Sequence, residues 1–354
     1  PRHPGGRRHV IAILIAGAVA GGLALVGTPL VIAYFRTRGF GQPIREEGPE
    51  SHRSKAGTPT MGGTAIVLAA VVAYLVAHIG SADFTYTGAL VLLTMVGMGV
   101  VGFADDFIKL RHRRNLGLNK TTKFTGQAII AAIFAFAGPA FGGIEQNVSV
   151  VGDIAFDLPS WAFFVWVFLL LAGASNAVNL TDGLDGLAAG SGSLIFGAFT
   201  LIAFWMFRNP AAYPFLSSGE ALDIAIVLAA ATAACAGFLW HNAPPARIFM
   251  GDTGSLALGG LLAAVGIATG TQVLLVLLGG LYVLETLSVI IQVAVFRTTG
   301  RRVFRMAPIH HHFELLGWQE TTIIVRFWII AGIGVVTGLG IFYGEWWSRF
   351  GGLG

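Results

Sequence analysis

The chain has 354 residues, of which 55% are hydrophobic and only 11% are charged, and its formal net charge is +4. Soluble domains carry about 25% charged residues, so this composition excludes an ordinary water-soluble fold. No long polar stretch divides the chain. We therefore predict one integral membrane domain over residues 1–354, with residues 1–9 as an N-terminal tail.

Apolar segments recur along the whole chain at lengths that suit a bilayer. A membrane-spanning helix needs about 20 mostly apolar residues. The segments that qualify are 10–35, 61–79, 86–104, 124–142, 161–178, 187–207, 222–240, 255–269, 271–296 and 323–345. This pattern predicts an all-α polytopic membrane protein with about ten transmembrane helices.

Basic residues indicate the orientation of these helices, because Lys and Arg concentrate in cytoplasmic loops. Of the 22 Lys and Arg residues, 16 fall in alternate loops, which are 36–60, 105–123, 179–186, 241–254 and 297–322. The basic N-terminal tail argues for the opposite orientation, but the majority predicts that these loops are cytoplasmic and both termini periplasmic. On the periplasmic side, the alternating residues 146–158 around Gly152 and Asp153 predict a small β-hairpin.

Five acidic residues stand at or beside the predicted cytoplasmic ends of apolar segments, and three different loops supply them. They are Asp105, Asp106, Asp182, Asp185 and Asp252. Ionisable groups at membrane depth are costly and usually face a cavity or the bundle interior. Carboxylates gathered on one face repel one another unless cations compensate. Because Mg²⁺ prefers a few carboxylates together with substrate phosphates and water, the pattern predicts a magnesium site.

Two of these motifs also have purely structural interpretations. Asp105 and Asp106 follow an apolar run directly and could simply end a helix in solvent. Asp182 and Asp185 share one face if residues 176–188 are helical, whereas the glycine after each of them favours a tight turn and close substrate approach. A simple helix cap is the remaining alternative for that stretch.

The loop 241–254 contains two consecutive prolines, which favour an extended path. Gly251, Asp252 and Thr253 then open the next apolar segment, so Asp252 stands at a predicted helix N-terminus. The backbone amides of such a terminus suit a phosphate and its metal ion. The structural alternative is an aspartate that only caps the helix.

Three consecutive histidines, His310, His311 and His312, lie in the segment Met306–Glu314 after an arginine-rich stretch. No cysteine or second histidine pair accompanies them, so a zinc site is not supported. We predict that the imidazoles act as donors near phosphates. A polar loop at the membrane interface is the alternative.

Three other features deserve a prediction. The glycine-rich turn Lys55–Gly63 carries a lysine and hydroxyl groups, including that of Thr60, on the predicted cytoplasmic side and suits an anion. Cys235 lies alone in an apolar run, so we predict a packed core cysteine rather than a disulfide or a nucleophile. Glu285 lies inside an apolar segment, and the sequence does not reveal its partner.

Taken together, these motifs resemble the phospho-N-acetylmuramoyl-pentapeptide transferase family, a branch of the polyprenyl-phosphate N-acetylhexosamine-1-phosphate transferases. The string PIHHHFE is the most specific of them, and departures are confined to the N-terminal tail and the outward loops. The matching positions run in order along nearly the whole chain, at 55–63, 105–109, 123, 176–188, 249–255 and 308–314.

The resemblance implies a ten-helix bundle in the bacterial inner membrane, with its active site on the cytoplasmic face. It implies UDP-N-acetylmuramoyl-pentapeptide and undecaprenyl phosphate as substrates, lipid I and UMP as products, Mg²⁺ as cofactor, and a homodimer. The residues predicted to act in catalysis are Asp105, Asp106, Lys123, Asp252, His310, His311 and His312. The residues predicted to bind substrates are Lys55, Thr60, Lys109, Asn176, Asn179, Asp182, Asp185, Asn242, Phe249 and Gln292.

Within this set, the expected roles differ. Asp252 is predicted to ligate Mg²⁺, Asp105 to act as the base or orienting group for the lipid phosphate, and Phe249 to stack on uracil.

Two other functions fit parts of the sequence. A sister transferase that uses UDP-N-acetylglucosamine shares the aspartate motifs and differs mainly around the histidines. An ion-coupled transporter also uses intramembrane acids, but transporters usually show internal repeats and midplane acids, whereas here the five acids cluster at one face and we find no repeat. Basic patterning typical of nucleic-acid binding is absent.

Overall fold

The computed structural model of the chain describes residues 5–38, 57–79, 82–112, 117–151 and 155–351. Most of these residues are helical. In chain order the helices are α1 (Gly5–Thr37), α2 (Gly63–His78), α3 (Tyr86–Arg111), α4 (Lys120–Phe141), α5 (Ser160–Thr181), α6 (Leu187–Arg208), α7 (Ser218–Asn242), α8 (Gly251–Ala268), α9 (Leu275–Leu278), α10 (Gly280–Thr299), α11 (Ile309–Glu314) and α12 (Glu320–Phe350).

Each predicted span corresponds to helical structure, which confirms the all-α polytopic class. Within the described ranges, nine helices are long and apolar enough to cross a membrane, and α2 is a shorter apolar helix of 16 residues. The predicted span 271–296 is wrong in one respect, because it is broken into α9 and α10. Gly279 and Gly280 stand at the break, and glycine is a poor helix former that costs about 1 kcal/mol relative to alanine.

Helix α8 forms the centre of the bundle, and every residue from Thr253 to Ala268 is buried. Its small residues allow neighbouring helices to approach. A side chain at Gly259 would overlap the backbone of Ser175 in α5, and one at Gly260 would overlap Met98 in α3. Small residues at helix contacts are the usual basis of packing inside membranes. Cys235, in α7, is free and buried, as predicted.

The predicted hairpin is present at the end of the bundle where α4 finishes and α5 begins. Strands β1 (Asn147–Ser149) and β2 (Ala155–Asp157) pair in antiparallel fashion, with Val148 opposite Phe156. The turn between them, including Gly152 and Asp153, lies outside the described residues.

At the opposite end of the bundle, the glycine-rich turn before α2 docks on the loop before α8. The Phe249 amide donates to the Pro59 carbonyl at 2.8 Å, and the Gly62 amide donates to the Phe249 carbonyl at 2.8 Å. The Gly63 amide donates to Met250 at 2.9 Å. These bonds bring two predicted site segments together at the end where α3 and α5 finish and α4, α6 and α8 begin.

Candidate active site

Three carboxyl groups meet at this end of the bundle. Asp105 and Asp106 lie in the last two turns of α3, Asp252 lies in the first turn of α8, and one oxygen from each falls within 4.8 Å of the others. Asp105 and Asp106 are each only 3% exposed, so the solvent-facing interpretation of this pair is wrong. The approach of α3 to α8 requires Gly102, where a side chain would overlap the backbone of Asp252.

Two lysines offset part of the negative charge of this acidic cluster. Lys109 follows one turn after Asp105, and its Nζ lies 2.5 Å from Asp105 Oδ2 and 3.2 Å from Asp252 Oδ2. The same Nζ lies 3.7 Å from Asp106 Oδ1. Lys123, in the first turn of α4, places its Nζ 2.6 Å from Asp252 Oδ2. Charge-assisted contacts of this kind are the compensation that buried carboxylates require.

Asp106 serves as the cap of a helix that is remote in sequence. Its Oδ2 accepts hydrogen bonds from the amide of Thr253 at 2.9 Å and from the hydroxyl of Thr253 at 2.8 Å. Its Oδ1 accepts from the amide of Asp252 at 3.2 Å. The residue before α8, Met250, supplies no side-chain cap. The interpretation of Asp252 as merely a capping residue is therefore wrong, because Asp106 fills that role.

Asp252 is the most accessible of the three acids, with 14% of its side chain exposed. Its Oδ1 accepts from Asn179 Nδ2 at 2.8 Å, and the same amide lies 2.8 Å from Ser255 Oγ. Asp105 Oδ1 accepts from the Leu118 amide at 2.9 Å. The structure thus joins six predicted site residues from four helices, which are Asp105, Asp106 and Lys109 of α3, Lys123 of α4, Asn179 of α5 and Asp252 of α8.

Thr60 and Phe249 border the cluster. The hydroxyl of Thr60 and Oδ2 of Asp106 both lie where a side chain at Gly251 would project. Gly251 has φ +74°, a conformation that glycine adopts readily. Phe249 is half-buried, and its backbone is fixed to the glycine-rich turn. Lys55 lies outside the described residues.

Residues 182–186 form a turn between α5 and α6, so the tight-turn interpretation of this motif is confirmed and the helical one is wrong. Gly186 adopts φ +79°. Asp185 Oδ2 accepts from the amide of Ala246 at 2.9 Å, and the amide of Asp185 donates to Glu320 at 3.1 Å. Asp185 therefore ties the turn to two other segments.

Asp182 is the acid of this turn that faces the cluster. Burial raises the pKa of its carboxyl well above the ordinary value, and the nearby carboxylates of Asp252 and Asp106 raise it further. A hydrogen bond from the amide of Gly251 acts in the opposite direction. Burial is the larger of the two causes, and the charge of the cluster adds to it.

Three other predicted substrate-binding amides are hydrogen-bonded within the protein. Asn242 accepts from Gly186 at 3.1 Å and donates to Ile248 at 2.9 Å. Gln292 donates to and accepts from the backbone of Phe304. Asn176 donates to the Ala172 carbonyl of its own helix at 2.7 Å. These contacts do not join the carboxylate cluster, and the binding roles of the three residues stay predictions.

The three histidines have separate environments. His310 is fully buried, and its Nδ1 lies 3.0 Å from Oε2 of Glu285. His311 Nδ1 lies 2.6 Å from Glu314 Oε2, and His312 Nδ1 accepts from the Arg305 amide at 3.1 Å. Glu285 thus has the partner that the sequence did not reveal. The only sequence signal for this pair is the presence of a single acidic residue, Glu285, in an apolar segment.

The donor set of the cluster fits a hard divalent cation. Clustered carboxylate oxygens are ligands that Mg²⁺ accepts, usually together with phosphate oxygens and water. Both oxygens of Asp106 are engaged in capping α8. One oxygen of Asp105 and one of Asp252 instead face the lysines, so these two residues are the ones that could hold a metal ion.

A helical membrane bundle with a buried acidic cluster and two lysines at one end defines a protein suited to bringing phosphate groups and a cation together at a membrane surface. The sequence model described as glycosyl transferase family 4 matches residues 88–270. Signature 1 of the phospho-N-acetylmuramoyl-pentapeptide-transferases matches residues 55–67.

Relatives match along almost the whole chain. Phospho-N-acetylmuramoyl-pentapeptide-transferase of Frankia casuarinae is 53% identical over 352 residues, covering 96% of this chain and 99% of the relative. The enzyme of that name from Saccharopolyspora erythraea is 49% identical, with 95% and 98% covered. That from Streptomyces griseus is 50% identical, with 95% and 99% covered. The chain belongs to the phospho-N-acetylmuramoyl-pentapeptide-transferase family, which confirms the resemblance.

The capping role of Asp106 generates a prediction about stability. Replacing Asp106→Asn puts an NH₂ group where one of its carboxylate oxygens accepts, so the unfolding free energy should fall by about 1–2 kcal/mol. Asp252→Asn should lower it by less, because Asp252 caps no helix and its neutralisation also relieves repulsion from Asp105 and Asp106. Thermal unfolding of both variants in one detergent measures the difference, and the reverse order would contradict the assignment.

Proposed function

We propose that this protein transfers phospho-N-acetylmuramoyl-pentapeptide from UDP-N-acetylmuramoyl-pentapeptide to undecaprenyl phosphate, giving lipid I and UMP. Membership of the family supports this reaction. The observation that carries the proposal is the cluster of Asp105, Asp106 and Asp252 with Lys109 and Lys123. It provides both signs of charge at one end of a membrane bundle, where a lipid phosphate and a soluble nucleotide could meet.

The reaction requires two anions to approach. An oxygen of the lipid phosphate attacks the β-phosphorus of the UDP-sugar, a new P–O bond forms, and the bond to the bridging oxygen breaks. The electron pair of that bond leaves with UMP. Such transfers depend mainly on positioning and on electrostatic stabilisation of phosphate oxygens. Lys109 and Lys123 supply that positive charge, and Asp105 orients the attacking phosphate and accepts its proton where one is present.

We assign Asp252 as the principal ligand of Mg²⁺, with Asp105 beside it. When bound, the cation lowers the repulsion between the two phosphates and stabilises the leaving group. Asn179 fixes the Asp252 carboxylate through a hydrogen bond of 2.8 Å, and Asp106 fixes the backbone that carries it.

The nucleotide and the peptide are assigned to the segments around the cluster. Phe249 is proposed to stack on uracil, with Thr60, Asn179 and Asp182 near the nucleotide. The segment after α10 is proposed to receive the peptide, because His311 is half-buried and the neighbouring arginines are partly or fully exposed. Guanidinium groups suit the carboxylates of a peptide. Lys55 is proposed to contact the anionic substrate as well.

We also propose the setting of the reaction. The excess of Lys and Arg in loops at the site end supports a cytoplasmic active site in the bacterial inner membrane and periplasmic termini. A homodimer is proposed from the family resemblance.

Substrate choice tests the proposal directly. Purified protein with polyprenyl phosphate and Mg²⁺ should convert radiolabelled UDP-N-acetylmuramoyl-pentapeptide into labelled lipid and release UMP. Little or no lipid should form from UDP-N-acetylglucosamine, because the exposed arginines have no carboxylate to bind in that smaller sugar. Equal use of the two nucleotides, or preference for the smaller one, would favour the sister transferase instead.

The role of Asp252 is tested by turnover. Asp252→Asn removes a charged ligand and should lower kcat at least about 10²-fold, or roughly 3 kcal/mol of transition-state stabilisation. The loss should persist across a Mg²⁺ titration. Glu345→Gln, in α12, is the matched control and should retain activity, since Glu345 pairs with Arg349 away from the cluster. Near-normal turnover of the Asn variant would remove Asp252 from the mechanism.

Sidedness is tested by cysteine labelling in a Cys235→Ala background. Arg247→Cys lies on the exposed loop before α8, and Phe156→Cys lies on the hairpin, where Phe156 is 68% exposed. In intact cells an impermeant thiol reagent should label only Phe156→Cys. In inverted membrane vesicles it should label only Arg247→Cys. The opposite pattern would rule out a cytoplasmic site.

A further inference from the structure

Glu285 of α10 and His310 of α11 form a fully buried pair that none of the proposed chemical steps uses. Both side chains are 0% exposed, and His310 Nδ1 lies 3.0 Å from Glu285 Oε2. None of the polar side-chain atoms of these two residues has a hydrogen-bond partner among the described residues. A buried carboxylate or imidazole without a partner is strongly unfavourable, so each of the two depends on the other.

The opposite edge of the His310 ring rests on the turn between α5 and α6. A side chain added at Gly183 would overlap Nε2 of His310 and crowd Cε1. Only glycine therefore allows the turn to sit directly on the imidazole. Gly183 follows Asp182, the acid whose carboxyl faces Asp252 and Asp106.

Hydrogen bonds also fix the far end of the turn. Gly186 donates to Asn242, and Asp185 is bonded to Ala246 and Glu320. These bonds hold the side that leads into α6. The contact with His310 supports the turn at Gly183, next to Asp182, whose carboxyl also accepts a hydrogen bond from the amide of Gly251.

We propose that Glu285 and His310 form a strut between α10 and the Asp182–Gly186 turn, and that this strut sets the position of Asp182 relative to Asp252. Both are positioning residues, since they act through Gly183 rather than by contact with the reacting groups. Glu285 Oε2 lies 3.0 Å from Nδ1, and this buried contact holds the ring in place, while the ring holds the turn. The requirement is for a polar side chain of the shape of glutamate at residue 285 and for no side chain at residue 183.

Hydrogen–deuterium exchange of the purified protein tests the strut without reference to activity. Glu285→Leu removes the polar contact with the imidazole, Glu285→Gln keeps a polar group of the same shape beside it, and Gly183→Ala inserts a methyl group where the imidazole lies. Exchange in peptides covering 182–190 should rise at least about tenfold in the Leu and Ala variants, because local opening becomes easier. In the Gln variant, exchange in these peptides should stay near the wild-type rate. Exchange in α12 should stay near that rate in all three variants.

Two matched controls use residues with no part in the strut. Gly173→Ala lies in α5, where a side chain meets no atom within 4 Å, and Glu345→Gln alters another glutamate of a membrane helix. Neither should change exchange in the turn. Unchanged exchange in Glu285→Leu and Gly183→Ala, or equal increases in the Leu and Gln variants, would overturn the inference.

A kinetic measurement extends the test and rests on the proposed function. Glu285→Leu and Gly183→Ala should each raise KM for the UDP-sugar at least about fivefold and leave kcat within about twofold, because Asp182 is assigned to nucleotide binding. The double variant should be no worse than the poorer single variant, since both changes remove one support. Losses that multiply would overturn the strut. A wild-type protein without transferase activity would refute the proposed function, and the exchange experiment would still decide the inference.

Discussion

Three carboxylates held within 4.8 Å of one another are the constraint on which this end of the bundle depends. At an effective dielectric constant of about 20, two like charges 4 Å apart repel by about 4 kcal/mol. Lys109 offsets this repulsion by contacting all three acids, and Lys123 adds a second cation at Asp252. Asp106 is stabilised additionally by the amides at the start of α8. The acids and the lysines therefore form one electrostatic unit of three carboxyl and two ammonium groups.

This unit forms only because the helices approach very closely. A side chain at Gly102 would overlap the backbone of Asp252, and one at Gly63 would overlap Gly254. The absence of side chains at these positions lets α2 and α3 contact the first turn of α8 through their backbones. The same glycines thus determine the packing of the bundle and the distances between the carboxylates, so fold and site are not separable here.

Local signals in the sequence were sufficient for part of this arrangement. Apolar length predicted the spans, and Gly251 followed by Asp252 predicted the start of α8. The sequence could not reveal that Asp106 caps a helix 146 residues away, or that Glu285 meets His310. The apolar periodicity of a sequence predicts that a position is buried, but it does not predict which residue packs against it. Asn242 shows a second limit of the sequence pattern. Its motif predicts a contact with substrate, whereas in the structure its amide is hydrogen-bonded to the loops around the site.

The residues around the site and the residues of the carboxylate cluster are held by different kinds of contact. This difference explains how ligands could enter such a crowded site. Asp185, Asn242 and Gln292 bond to backbone groups, and breaking those bonds would leave buried polar atoms unpaired. The cluster is held instead by contacts between ammonium and carboxylate groups. A cation alone would displace the lysines, and an anion alone would draw the lysines away from the acids. When both enter together, every charge is paired again, with the cation on the carboxylates and the phosphate on the lysines. Electrostatic balance thus favours joint binding of metal ion and phosphate over binding of either one alone.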